Sequence, residues 1–333
     1  MAILVTGVAG FIGFSTARAL LARGDAVVGI DNLNDYYDPR LKQARLDTLT
    51  AEHGTGFTFE QVDFADPAAL AALTARYRFD RIVHLGAQAG VRYSLANPHA
   101  YARSNMAGHL NMLELARAIQ PEHMVYASSS SVYGGNSQLP FRVEHCTERP
   151  LSLYAASKKA DELMSESYAH LFRLPLTGLR FFTVYGPWGR PDMAMWLFTE
   201  ALFAGKPLRL FNGGAMRRDF TYVDDIVRGV IAALDRAPVD DGTAKAGGSL
   251  GPHALYNIGN HRSEELMRVV ELLERETGRT AIIEMAPMQP GDVPDTFADI
   301  SAIERDHGYH PTTSIDEGIP RFVAWFRDYH GID

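Results

Sequence analysis

Tyr154-Ala155-Ala156-Ser157-Lys158 sets a phenol and an ammonium four residues apart, which on a helix places them on one face. A free phenol ionises near pH ~10 and is a poor base at neutrality. An adjacent ammonium favours the phenolate and lowers that value. The pair can then take a proton from a hydroxyl while hydride leaves the same carbon. The same spacing also arises on solvated helix surfaces, so its meaning depends on what surrounds it. Upstream, Ala127-Ser128-Ser129-Ser130-Ser131-Val132-Tyr133-Gly134 closes a predicted strand. Ligands of doubly wound sheets bind at the carboxyl ends of strands. A serine hydroxyl there can donate to the reacting oxygen, although any one of the four can equally serve a polar turn.

A hydride acceptor is implied at the other end of the chain. Thr6-Gly7-Val8-Ala9-Gly10-Phe11-Ile12-Gly13 follows a predicted strand and opens a predicted helix. Small residues at this spacing let the backbone approach a pyrophosphate, and the N-terminal N–H groups of the helix face its charge. Asp31 ends the next strand, where a carboxylate accepts from ribose hydroxyls and repels a 2′-phosphate, favouring NAD over NADP. It also opens Asp31-Asn32-Leu33-Asn34, an ordinary setting for an Asx turn. Asp63 and Phe64, after the third strand, can flank an adenine or simply form a loop. With NAD bound, the nicotinamide charge adds to that of Lys158 in stabilising a Tyr154 phenolate.

These residues need a scaffold that brings strand ends together. Short apolar runs at Ala2–Thr6, Ala26–Ile30, Phe57–Val62, Arg81–Leu85, Met124–Ala127 and Leu176–Arg180 alternate with helical patterns at Gly10–Arg23, Pro67–Arg76, Pro98–Ala118 and Ser152–Phe172. That rhythm predicts an α/β fold, a doubly wound parallel sheet of Rossmann type. After residue 180 it changes. Helices at Ala194–Ala204, Val223–Asp235, Ser263–Thr277 and Asp316–Tyr329, with short strands near Arg209, Phe220, Tyr256 and Ile282, predict a smaller α/β substrate-binding region over 181–333, its segments free to interleave with 1–180. The Gly- and Ala-rich stretch Asp240–Pro252 reads as a mobile surface loop.

Composition excludes other classes. The 333 residues carry 32 basic and 40 acidic side chains, a formal charge of −8, which argues against general nucleic-acid binding. Cys146 is the sole cysteine, so no intrachain disulfide forms, and the chain suits a reducing cytoplasm. No signal peptide or membrane anchor is expected from the start of the chain. No His, Asp and Glu set has metal spacing; His84 reads as packed or cofactor-adjacent, and Trp188 and Trp196 as core or rim.

Together these residues resemble the extended short-chain dehydrogenase/reductases, and within them the nucleotide-sugar epimerases and dehydratases. The resemblance adds Arg180-Phe181-Phe182-Thr183-Val184-Tyr185-Gly186-Pro187, Arg218-Asp219-Phe220-Thr221-Tyr222-Val223-Asp224-Asp225 and Pro290-Gly291-Asp292-Val293 to the motifs above, and spans nearly the whole chain. It is nearest to UDP-glucuronate 4-epimerases, through Gln88-Ala89-Gly90-Val91-Arg92-Tyr93-Ser94, Ser152–Lys159 and the run to Trp188-Gly189-Arg190-Pro191-Asp192-Met193. It implies tightly held NAD, oxidation at sugar C4 by Tyr154, a 4-keto intermediate that turns over, and hydride return to its other face. It further implies Ser129 as the assisting hydroxyl, with Ser128 and Ser130 beside it. Phe11, Ile12 and Asn32 join the cofactor contacts. Arg218 meets the UDP diphosphate, Arg92, Phe211 and Asp292 complete the UDP-sugar contacts, and Arg190 and Thr183 grip a uronate carboxylate by position. A homodimer through the helices at Pro98–Ala118 and Ser152–Phe172 is also implied.

Two departures from the family patterns matter. Dehydratases carry Asp-Glu after the catalytic hydroxyl to move a proton and eject water, where this chain has Ser130 and Ser131. Decarboxylating relatives also place an acid there, and it is missing. Met288-Gln289 stands where many hexose epimerases have an arginine pair, which leaves the exact diphosphate contacts open; Arg217 reads equally as an aid to diphosphate binding or as a solvated neighbour of Arg218. The competing expectations are a UDP-glucose/galactose 4-epimerase, whose neutral C6 group needs no cation, and an idle NAD-sensing protein, which would be expected to have lost Tyr154 or Lys158.

Overall fold

The computed structural model describes residues 2–289 and 291–332. Pro290 lies outside the described residues. Seven strands form one parallel sheet: β1 (Ala2–Thr6), β2 (Val27–Asp31), β3 (Phe57–Gln61), β4 (Phe79–His84), β5 (His123–Ser129), β6 (Leu176–Phe181) and the later β11 (His253–Ile258). Their order is β11-β6-β5-β4-β1-β2-β3, and every pairing is parallel. The central strands are apolar without alternation because helices cover both faces. On one face α1 (Phe11–Arg23) and α9 (Val223–Leu234) pack through Phe14, Leu20, Ile226 and Val230. On the other, α3 (Pro67–Arg76), α6 (Gly108–Ile119) and α7 (Leu153–Phe172) bury Leu73, Met112 and Ala169. Each fully buried large apolar side chain contributes roughly 1.5–3 kcal/mol.

β11 lies on the far side of the change of rhythm at residue 180, yet it completes the main sheet by pairing with β6 from His253–Leu176 to Ile258–Phe181. The second half therefore divides. Part of it closes the sheet, and part builds a separate lobe. In that lobe α8 (Ala194–Ala204), α10 (Leu266–Thr277) and α12 (Ile315–His330) enclose Trp196, Phe198, Val269, Ile319, Phe322 and Phe326. Three two-stranded pieces tie it down: β7 (Thr183–Tyr185) with β10 (Phe220–Tyr222), β8 (Leu208–Phe211) with β13 (Ile283–Ala286), and β9 (Arg217–Arg218) with β12 (Glu264–Glu265).

Some elements differ from the sequence expectation. A helix α2 (Pro39–His53) follows the loop after β2, started by Pro39 and capped by Asp38, whose carboxylate accepts from Arg40 N. A short α11 (Ser301–His307) precedes α12. The helix expected over Pro98–Ala118 follows a short α4 (Tyr93–Ala96) and is not uniform. It runs as α5 (Pro98–Tyr101), a wider π turn at Ala102–Ala107, then α6. The helix expected from Ser263 begins at Leu266, because Glu264 and Glu265 pair with β9 and the Ser263 hydroxyl bonds Asp295. The Asp240–Pro252 segment is irregular as expected, but tethered. Ser249 Oγ donates to Glu166 at 2.9 Å, and Lys245 N donates to Ser249 O at 2.8 Å.

Candidate active site

Between the sheet and the second lobe lies a cleft of about 850 Å³, within the range of small-ligand sites. Its floor is the turn after β1. Gly7 takes φ 68° there, and Gly10 caps α1. A Cβ on Gly7 would lie 2.7 Å from Gly86 Cα, and one on Gly13 2.0 Å from Gly7 O. Side chains at these positions would push the turn off β4 and off the helix start. Gly10, Phe11, Ile12 and Gly13 line the cleft, which puts the positive N-terminal end of α1 at it, and no acidic residue in the first turn offsets that charge.

Asp31 satisfies both sequence readings at once. Its carboxylate accepts from Ala9 N at 3.2 Å and Leu33 N at 2.9 Å while it lines the cleft. Asn32 lines the cleft beside it. Phe64 also lines it, but Asp63 does not. The Asp63 carboxylate is held by Arg103 at 2.7 Å and by Ala65 N at 2.9 Å, so of the two residues expected to flank an adenine only Phe64 lines the cleft. His84 bonds Thr6 Oγ1 at 2.7 Å, and burial pushes it down to about 3, so it is a packed neutral residue. Among the described residues no group of acidic, His or Cys side chains could hold a metal.

Tyr154 stands in the first turn of α7, where the Ser152 hydroxyl caps Ala155 N at 3.1 Å. Its ring meets the edge of Tyr101 with centroids 6.0 Å apart, and Tyr101 OH donates to the carbonyls of Ala89 and Gly90. Lys158 is buried, with Nζ donating to Ala127 O at 2.9 Å and Asp161 Oδ2 at 3.1 Å. The π turn presents Asn105, which bridges Gln88 O at 3.0 Å and Ser157 Oγ at 2.9 Å and so ties the strand-end loop to α7. The serines have separate tasks. Ser128 Oγ donates to Glu162 at 2.7 Å; Ser129 Oγ accepts from Ser131 N at 3.1 Å, and no described residue takes its proton; Ser130 lines the cleft next to them.

The second lobe supplies the opposite wall, with Thr183, Arg190, Phe211, Arg218 and Asp292 in the lining, and Arg92 joins them from the start of α4. Arg190 is paired with Asp192, which also accepts from Tyr36 OH at 2.9 Å. Burial opposes the Asp192 charge, but the guanidinium holds its carboxyl below the usual range. Arg218 donates to Pro294 O at 3.1 Å, and burial lowers its pKa. Arg92 lies 4.4 Å over the Phe211 ring and 3.1 Å from Asp292. Arg217 is engaged by Glu265 at 2.7 Å and Ser263 O at 2.6 Å, outside the cleft lining.

The sequence reading missed Asp161, Asn105, Tyr36, Asp192, Lys42 and Arg45. Asp161 had a legible signal, three residues beyond Lys158 on the same face. Arg45 had none, since it is a buried cation that holds loops: it donates to Ala9 O at 2.7 Å and Trp188 O at 2.6 Å.

The sequence family described as GDP-mannose 4,6 dehydratase matches residues 4–322. This chain belongs to that family. The resemblance to extended short-chain dehydrogenase/reductases is thereby borne out. A probable UDP-glucuronate 4-epimerase of Rhizobium meliloti (strain 1021) is 46% identical over 98% of this chain and 97% of its own. The crystal structure of a UDP-glucuronic acid 4-epimerase from Bacillus cereus, in complex with UDP-glucuronic acid and NAD, matches with TM-score 0.88 and 32% identity over 99% of this chain and 100% of that one. A dTDP-glucose 4,6-dehydratase double mutant from Streptomyces venezuelae, with NAD bound, matches at TM-score 0.87 and 28% identity over 99% of this chain and 98% of that one. Backbone likeness across the family therefore does not separate epimerase from dehydratase. Side chains in the cleft must.

Proposed function

We propose that this chain is an NAD-dependent UDP-glucuronate 4-epimerase, interconverting UDP-glucuronate and UDP-galacturonate. The observation that carries the reading is the placement of Tyr154 and Lys158 between a glycine turn shaped for a pyrophosphate and a wall bearing Arg190 and Arg218. The cradle fits NAD: the turn excludes Cβ atoms, the α1 N-terminus faces the cleft, and Asp31 offers its carboxylate to the adenosine ribose. Bound there, NAD would supply the acceptor for the C4 hydride and its donor for return to the other face of the sugar.

The chain's own residues handle the proton. Tyr154, as phenolate beside the Lys158 ammonium, accepts the C4 hydroxyl proton, and Ser129 donates to the same oxygen. The keto sugar turns over while Arg218, with Arg92 and Phe211, retains the UDP portion. Tyr154 then returns the proton. Ser130 and Ser131 carry no carboxyl group to remove the C5 proton or expel water, so dehydration is closed to the oxidised sugar. Losing Tyr154 as the proton acceptor costs about 10²–10⁴-fold in such chemistry.

A second reading has one observation in its favour. Asp192 already neutralises Arg190, which suits the uncharged C6 group of UDP-glucose or UDP-galactose. Purified protein incubated with each UDP-sugar and no added cofactor separates the two. Conversion of UDP-glucuronate to UDP-galacturonate without net NADH is the expected result, and it should vanish in Tyr154→Phe. Turnover of neutral hexoses alone would transfer the assignment to the second reading. The protein is further proposed to be a cytoplasmic homodimer, the dimer supported by exposed Met106 in the π turn, Leu110 on α6 and Leu163 on adjoining α7. Among the described residues no helix is long and apolar enough to cross a membrane.

A further inference from the structure

Beneath the active-site pair lies a charge that the chemistry above does not use. Asp161 is completely buried one turn beyond Lys158. One carboxylate oxygen takes the ammonium at 3.1 Å, and the other, Oδ1, accepts from no described residue. The ammonium has three N–H groups. Ala127 O and Asp161 take two of them, leaving one for the cleft. A buried ammonium without a counter-charge is costly, and the neighbouring elements offer no other. From β4, His84 is held neutral by burial, as is His109 from α6. Tyr126 on β5 is kept protonated, also by burial. Glu162 on α7 is committed to Arg180 on β6, to Lys159 and to Ser128.

We propose that Asp161 is a positioning residue of the reaction: it pins the Lys158 ammonium toward the cleft and, as its counter-charge, limits how strongly that ammonium favours the Tyr154 phenolate. This rests on the proposed role of Tyr154 as base. Burial pushes the Asp161 carboxyl up to about 7, so it gains its charge around neutrality. As pH rises through that value, ionising Asp161 opposes ionising Tyr154, and the two titrations spread each other out.

The test is a pH titration of Tyr154 in the NAD-loaded protein. Tyrosinate absorbance is read as the difference between each protein and the same protein carrying Tyr154→Phe, alongside the pH profile of kcat/KM. Asp161→Asn keeps the shape and an acceptor oxygen but removes the charge. Seven residues along a helix is roughly 10 Å, so at an effective dielectric near 20 the Tyr154 ionisation should move about one pH unit lower and sharpen. Asp161→Ser is the second variant should the first not fold, with the same expected direction. Unmoved ionisation in a folded variant, even with reduced Tm or kcat, would leave Asp161 a purely structural residue and overturn the proposal. A shifted tyrosinate titration in protein that does not turn over UDP-glucuronate would instead uphold Asp161 and reject the proposed substrate.

Discussion

Arg190 carries the finest distinction in the site, and its surroundings sharpen what it can do. Once C4 is a ketone, a glucuronate is a β-keto acid and sheds CO₂ when the breaking bond aligns with the carbonyl π system. A carboxylate held in another orientation is protected. Asp192 pairs with the Nε and Nη2 edge of the guanidinium, so a substrate carboxylate would meet its remaining Nη1 group, with Thr183 beside the same cleft. That geometry orients more than it attracts, because Arg190 and Asp192 together are neutral. Hydrogen bonds to charged groups are worth about 1.5–3 kcal/mol. Arg190→Ala is therefore expected to raise KM for UDP-glucuronate by roughly 10- to 100-fold and to release some UDP-pentose, detected by mass spectrometry of the products. Unchanged KM with no pentose would take Arg190 out of the carboxylate site.

At the scale of elements, β1, the glycine turn and α1 act as one unit. A methyl group at Gly13 would meet the backbone of Gly7, which cannot rotate aside, whereas a Cβ at Gly135 meets only Leu151 at 3.8 Å. Gly13→Ala should cost roughly 1–3 kcal/mol of overpacking and weaken NAD binding at least tenfold. Gly135→Ala should leave both near the wild type. Thermal melts with and without NAD, and a calorimetric titration, check this. If NAD affinity survived in Gly13→Ala, the pyrophosphate would have to lie elsewhere. This unit was legible in the sequence because strand, turn and helix each carry their own local signal. The helix α2 was not, for a physical reason. Its inward stripe is Leu41, Lys42, Arg45, Leu46 and Leu49, in which two cations replace apolar residues. Lys42 holds the Asn34 carbonyl at 2.7 Å and Arg45 the phosphate turn. A hydrophobic pattern cannot show a helix whose buried face is built to brace loops; only Asp38-Pro39 signalled its start. The π turn at Ala102–Ala107, which sets Asn105 between Gln88 O and Ser157 Oγ, was hidden because the apolar positions on either side of it still read as one helix.

Over the whole molecule, the chain leaves the sheet after β6, builds part of the lobe, and returns to lay down β11 before finishing the lobe. Residue-by-residue rhythm could not reveal this, because pairing of β11 with β6 is a contact between segments more than 70 residues apart, as in His253 with Leu176. The consequence is topological: lobe segments precede and follow β11, so the chain passes between sheet and lobe more than once, and the cleft lined by Tyr154 and Arg218 lies between them. The same sheet leaves α6 and α7 side by side on its outer face, where Met106 is 40%, Leu110 39% and Leu163 60% exposed. A second copy meeting these helices would pack four together and bury them; stable interfaces of this sort cover about 800 Å² per partner. α7 carries Tyr154 and Lys158 at its first turns, so such a contact would also stiffen the catalytic helix. Leu110→Glu with Leu163→Glu is expected to halve the mass found by light scattering while leaving NAD binding intact, and to lower Tm. A double variant that keeps the mass of a wild-type dimer would move the interface to another face, and a monomeric wild type would remove the dimer altogether.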